Sequence, residues 1–154
     1  KAKKWSNEQG GKAAATPAEA AAGAEIVFSC VGDDPDLREI ALGSGGVIAA
    51  MGRGWVYVDH TTASADVARE IAAAGGKRGV ACLDAPVSGG QAGAENGKLT
   101  VMVGGEAAPF ATAEPVIRSY AQAVRLLGPA GSGQLTKMVN QIAIAGVVQG
   151  LAEA

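Results

Sequence analysis

Lys137, Asn140 and Gln141 stand at i, i+3 and i+4 within Gly131-Ser132-Gly133-Gln134-Leu135-Thr136-Lys137-Met138-Val139-Asn140-Gln141. That spacing places one amine and two side-chain amides on a common helix face. The amine can donate or accept a proton, and the amides can hydrogen-bond a hydroxyl or a carbonyl. A lone helical lysine is ordinarily a solvated surface residue. Here the flanking positions are mainly apolar, and the next acidic residue downstream is Glu153. Ala143, Ala145 and Gly146 are small enough to let another helix or a cofactor approach.

The second chemically suggestive stretch is Asp84-Ala85-Pro86-Val87-Ser88-Gly89-Gly90-Gln91-Ala92-Gly93-Ala94. It begins where an apolar run ends, and ligands of open α/β sheets bind at strand ends of this kind. Ser88 offers a hydroxyl, and Gly89-Gly90 expose backbone N–H groups with no Cβ in the way. Together they could hold a carboxylate; on spacing alone they could equally be a flexible connection. Asp84 reads as structural, bonding nearby N–H groups to shape the loop. His60 follows Asp59 at another strand end and reads as a satisfied loop residue rather than an acid or base.

The positioning elements are an alternation of apolar strands and amphipathic helices, the pattern of a parallel sheet with helical crossovers. Thr16-Pro17-Ala18-Glu19 is a helix start, with a Thr cap, Pro at the first position and Glu three residues after the cap. Strands are expected at 25–31, 55–59, 80–83, 98–103 and 124–127. Helices are expected at about 35–42, from Ser64 to a stop at Gly75-Gly76, at 109–121 with a possible break at Pro115, and from Gly133 onward.

The bulk composition narrows the classes. In 154 residues, 48% are hydrophobic and 18% charged, the balance of an α/β domain. A net charge of −2 lacks the concentrated basic face that nucleic acid requires, and the short Lys1–Lys4 cluster reads as a solvated helix face. No apolar run approaches the roughly 20 residues that span a bilayer. One His and two separated Cys make no metal site, so none is expected; Cys30 and Cys82 read as reduced, small hydrophobes within apolar runs. A cytoplasmic location is the default expectation.

Taken together, the two stretches resemble the β-hydroxyacid dehydrogenase family, which is 3-hydroxyisobutyrate dehydrogenase-like and tartronate semialdehyde reductase-like and is related to 6-phosphogluconate dehydrogenase. The loop matches D-x-P-V-S-G-G-x-x-x-A at Asp84, Pro86, Val87, Ser88, Gly89, Gly90 and Ala94. It runs on into G-x-L-x-x-x-V-G-G at Gly97, Leu99, Val103, Gly104 and Gly105. The helix matches G-x-G-x-x-x-K-x-x-N at Gly131, Gly133, Lys137 and Asn140.

The resemblance implies a Rossmann-like parallel sheet over 1–130 and the first helix of an all-helical substrate and dimerisation domain over 131–154. It implies NAD or NADP as cofactor, touched by Val31, Gly32 and Thr62. Ser88, Gly89, Gly90, Asn140 and Gln141 would bind a small 3-hydroxy acid or semialdehyde, with Lys137 as general acid/base. Gln141 stands where many members have a second Asn. A homo-oligomer, dimer or tetramer, is also implied.

The family's opening strand and G-x-G-x-x-G phosphate turn have no counterpart upstream of Thr16. The sheet is therefore expected to lack its first strand-helix-strand unit, and both ends of the chain read as cut. Two other readings stay open. One is a module that binds a dinucleotide without catalysis, which the retention of Lys137 disfavours; the other, for this chain alone, is an inactive fragment that binds NAD(H) very weakly.

Overall fold

The computed structural model describes residues 2–154; Lys1 lies outside the described residues, so the Lys1–Lys4 expectation is met with only Lys3 and Lys4, both exposed on helix α1 (Ala2–Gln9). Helix α2 (Pro17–Ala21) starts as its sequence specifies: the Thr16 hydroxyl accepts the Glu19 N–H at 3.1 Å, and Pro17 occupies the first turn. Strands β1 (Ile26–Ser29), β2 (Val56–Asp59) and β3 (Ala81–Asp84) then pair in parallel, with Ser29 opposite Asp59 and Asp59 opposite Asp84. All three therefore end at one edge of the sheet. Helices α3 (Asp34–Leu42) and α4 (Val47–Ala50) lie between β1 and β2, and α5 (Ala65–Arg78) lies between β2 and β3.

Alternation along β2 divides the core in two. Val56 and Val58 pack with Leu83, Val101, Val103, Ile117 and Val124 on one face. Tyr57 packs with Leu37, Ile48, Val67, Ile71 and Val80 on the other. A sheet covered on both faces explains why its strands are nearly unbroken apolar runs.

The remaining strands depart from the expected all-parallel sheet. β4 (Val87–Ser88) and β5 (Leu99–Gly104) are antiparallel, and β5 also runs antiparallel to the end of β3. Asp84 faces Gly104, Val87 faces Val101 and Ser88 faces Thr100, so β3 and β4 hold a single register against β5 across the break at Ala85-Pro86. Only ten residues join Ser88 to Leu99, and the short helix α6 (Gly90–Glu95) takes up most of them. A parallel crossover needs about a dozen residues or more, so this connection returns as a hairpin. β6 (Ala121–Gly128) pairs in parallel with the other edge of β5, after α7 (Ala107–Ile117).

Two helix ends differ from expectation. α5 runs through Gly75-Gly76 and stops at Gly79, which adopts φ 76°. Gly75 is buried, and a Cβ there would meet Cys82 Sγ at 2.4 Å and Val80 O at 2.9 Å, so its role is close helix–strand approach rather than termination. Pro115 lacks the N–H for one helical hydrogen bond but lies in the last turn of α7, and the helix stays whole to Ile117; residues 118–120 turn into β6. Cys82 packs against the Tyr57 face, but Cys30, just past β1, is exposed.

Helix α8 (Ser132–Glu153) is the last element. Its first turn is seated on β3 and β5 by two glycines. A Cβ on Gly133 would meet Met102 O at 2.4 Å and Asp84 O at 2.7 Å; one on Gly104 would meet the N atoms of Ser132 and Gly133 at 2.8 Å. Beyond Lys137 the helix projects outward, with Val139, Ile142, Val147, Val148 and Leu151 exposed. Among the described residues no helix is long and apolar enough to cross a membrane, and no group of three His, Cys, Asp or Glu could hold a metal ion.

Candidate active site

Asp84 organises the site from beneath. Its carboxylate accepts the Gly131 N–H at 2.7 Å and the Gln134 N–H at 2.9 Å, filling the donors that the start of α8 leaves unpaired. The residue is structural, as its sequence setting suggests. However, its partners lie 47 and 50 positions away rather than in its own loop, so it ties strand β3 to the helix that carries Lys137.

One turn before Lys137, Gln134 is fully buried. Its amide donates to Thr61 O at 2.7 Å and accepts from Ala63 N at 3.0 Å, clamping α8 to the loop after β2. Thr61 continues the connection: its hydroxyl donates to Asp59 at 2.7 Å and accepts from Val31 N at 3.0 Å. Asp59 also receives the Ser29 hydroxyl at 2.6 Å. Burial pushes the Asp59 carboxyl above its ordinary value, and the hydroxyls of Ser29 and Thr61 partly oppose that shift.

Lys137 completes the arrangement. It is 8% exposed, and its Nζ donates to Val87 O at 2.8 Å, directly beside Ser88-Gly89-Gly90. Burial lowers its pKa from the ordinary lysine value. The nearby loop bends at Gly89 and Gly90, with φ 130° and 61°, conformations that side chains other than glycine rarely adopt.

The structure thus gathers most of the expected residues at one sheet edge. Val31 and Gly32 follow β1, Thr62 follows β2, Ser88 ends β4, and Gly89 and Gly90 follow it. Gly32 and Thr62 are exposed there, and the Val31–Thr61–Gln134 hydrogen bonds link them to the Lys137 helix. Asn140 is half-buried one turn beyond Lys137 and lines a shallow apolar groove with Ala143, Ile144, Val147 and Val148. Gln141 is exposed, and its amide oxygen accepts from Asn140 at 3.0 Å.

Three contributors were not foreseen: Gln134, Thr61 and Tyr120. Gln134 had a readable signal, since it lies three residues before Lys137 and shares its face. His60, by contrast, behaves as its setting suggests. Both ring nitrogens are satisfied, Nδ1 by Ala85 O at 2.6 Å and Nε2 by the Tyr120 hydroxyl at 2.8 Å.

Residues 1–128 match the family model described as the NAD binding domain of 6-phosphogluconate dehydrogenase. The chain belongs to that family. An uncharacterized oxidoreductase of Shewanella frigidimarina is 63% identical over 153 residues, covering 99% of this chain and 53% of the relative. The 3-hydroxyisobutyrate dehydrogenase of Pseudomonas aeruginosa is 35% identical over 147 residues, covering 96% of this chain and 49% of that enzyme. Among solved structures, Mycobacterium tuberculosis 3-hydroxyisobutyrate dehydrogenase with L-serine superposes with a TM-score of 0.77 at 34% identity, covering 83% of this chain and 43% of that one. The chain spans about half the length of the curated relatives it matches. Its sheet is the parallel-dominated, Rossmann-like one of this NAD-binding family, with the β3–β5 pairing as its antiparallel joint.

Proposed function

We propose that the protein to which this chain belongs is an NAD(P)-dependent 3-hydroxyacid dehydrogenase or reductase, with Lys137 as its proton-transfer residue. The observation that carries the reading is the position of Lys137: buried, and 2.8 Å from the carbonyl that precedes Ser88-Gly89-Gly90. A buried amine next to a serine–diglycine turn suits a substrate bearing both a carboxylate and a hydroxyl.

The cofactor fit rests on the carboxyl ends of β1 and β2, after which Val31, Gly32 and Thr62 lie; such sheets hold a dinucleotide beyond strand ends of this kind. A bound nicotinamide would supply the hydride acceptor or donor. In this reading the N–H groups of Gly89 and Gly90 and the Ser88 hydroxyl hold the substrate carboxylate, and the Asn140 and Gln141 amides orient its other end. During oxidation neutral Lys137 takes the substrate hydroxyl proton, and during reduction its ammonium returns one to the carbonyl oxygen. The lowered pKa brings the amine closer to the working pH, as a general base requires. Residues 1–130 form the dinucleotide domain and 131–154 open a helical substrate and dimerisation domain; the exposed apolar residues of α8 support that boundary.

The test is Lys137→Ala in the full-length protein, assayed with small 3-hydroxy acids and semialdehydes. Turnover is expected to fall about 10²–10⁴-fold with cofactor affinity unchanged. A loss below about tenfold would remove Lys137 from the role.

A further inference from the structure

The parallel ladder between β2 and β3 continues one rung past the strands, with Ala85 N donating to Asp59 O at 2.7 Å. In a parallel ladder the next rung would run from Thr61 N to Ala85 O. Thr61 N instead turns to the Asp59 carboxylate at 3.2 Å, and the His60 ring takes the vacated carbonyl at 2.6 Å. Because Ala85 O can only accept, Nδ1 carries the hydrogen, and neutral Nε2 accepts the Tyr120 hydroxyl. The ring is held on its faces as well, stacked on Phe28 at 5.7 Å and 18° and edge-on to Tyr120.

The segment that this ring holds is short. Ala85 is joined through Pro86, whose φ is fixed by its own ring, to Val87, whose carbonyl receives Lys137. Pro86 O is tied in turn to Met102 N at 3.0 Å. We propose that His60, buttressed by Tyr120, is a positioning residue for the reaction: it replaces the missing rung at Ala85 and so sets the Val87 carbonyl and the Ser88-Gly89-Gly90 loop against Lys137. The proposal rests on the reading of Lys137 as the proton-transfer group.

The experiment compares His60→Phe, His60→Asn, Tyr120→Phe and Lys137→Ala in the full-length protein, well below each variant's melting temperature. His60→Phe keeps the stacking but loses the N–H; kcat is expected to fall about 10- to 100-fold with the cofactor KM unchanged. Loss of the Val87 acceptor also disfavours the ammonium, so the acidic limb of the oxidation pH profile, below which Lys137 is protonated and cannot act as base, should move down by about one unit. His60→Asn places an amide N–H where Nδ1 was and should recover most of kcat. Tyr120→Phe should shift the same limb in the same direction, which keeps the test open if His60→Phe fails to fold. A His60→Phe enzyme within about twofold of wild type, or a loss that Asn does not repair with the limb unmoved, overturns the positioning role. Wild-type turnover in Lys137→Ala would overturn the underlying reading itself, an outcome distinct from a silent His60.

Discussion

Replacing Asp84 with Asn keeps the shape of the side chain and removes its charge, at the point where one carboxylate receives two N–H groups from the start of a 22-residue helix. The amide has one oxygen, so one of Gly131 N and Gln134 N keeps an acceptor and the other faces an NH₂ group. A hydrogen bond to a charged group contributes about 1.5–3 kcal/mol, and a buried anion at a helix N-terminus up to about 2 kcal/mol more. Since these overlap, a loss of about 2–4 kcal/mol is expected. At about 2–4 °C per kcal/mol for a chain of this size, Tm should fall by about 4–16 °C. Urea titration followed by circular dichroism, with exposed Glu25→Gln as the control, measures it directly. The destabilisation should persist in high salt, because Asp84 is only 5% exposed and screening acts mainly on exposed charges. A change below about 0.5 kcal/mol, the range of ordinary surface substitutions, would refute the idea that Asp84 anchors α8.

Other outcomes follow from the same geometry. Gly133→Ala forces a methyl against Met102 O and Asp84 O and should destabilise by about 3 kcal/mol, measured by urea titration. Gln134→Leu leaves Ala63 N and Thr61 O without their partner and should lose about 2–4 kcal/mol despite the similar volume. His60 is held below its ordinary pKa chiefly by burial, so the unfolded chain binds a proton first as pH falls. Its contribution to stability is therefore intact above about pH 6.5 and lost on acidification toward the folded pKa. Asp59, shifted upward, acts in the opposite sense. The Tm difference between wild type and His60→Phe isolates the His60 term apart from its smaller coupling to Asp59, and it should shrink between about pH 7 and 5; a constant difference contradicts the assignment.

Much of the fold could be read from local pattern, because the three parallel strands are apolar runs bounded by turn residues and α2 and α5 begin at Thr16 and Ser64 caps. The direction of β5 was not legible from its own residues, since an apolar strand reads the same either way. It is set by the length of the Ser88–Leu99 connection, which is too short to cross over. The true end of α5 was hidden for a related reason. Gly75 looks like a stop, yet its missing Cβ serves contact with Cys82, and only Gly79 takes the left-handed conformation. In the candidate site, Lys137 and Ser88-Gly89-Gly90 stood out because glycines and a charge interrupt apolar patterns. Gln134 was legible only through its spacing from Lys137 and Thr61 not at all, because amide and hydroxyl side chains mostly lie on the surface, whereas these two are buried.

The seating of α8 also sets how motion reaches the amine. The helix is fixed glycine-to-backbone at Gly133, while residues 141–154 are all exposed. At 1.5 Å rise per residue, Lys137 lies about 6 Å from that pivot and Glu153 about 30 Å. A tilt of about ten degrees would carry the tip some 5 Å but the Lys137 backbone only about 1 Å. The geometry is that of an unequal lever: a displacement of the outer turns arrives at Lys137 reduced about fivefold, so it would disturb the contact with Val87 O only slightly.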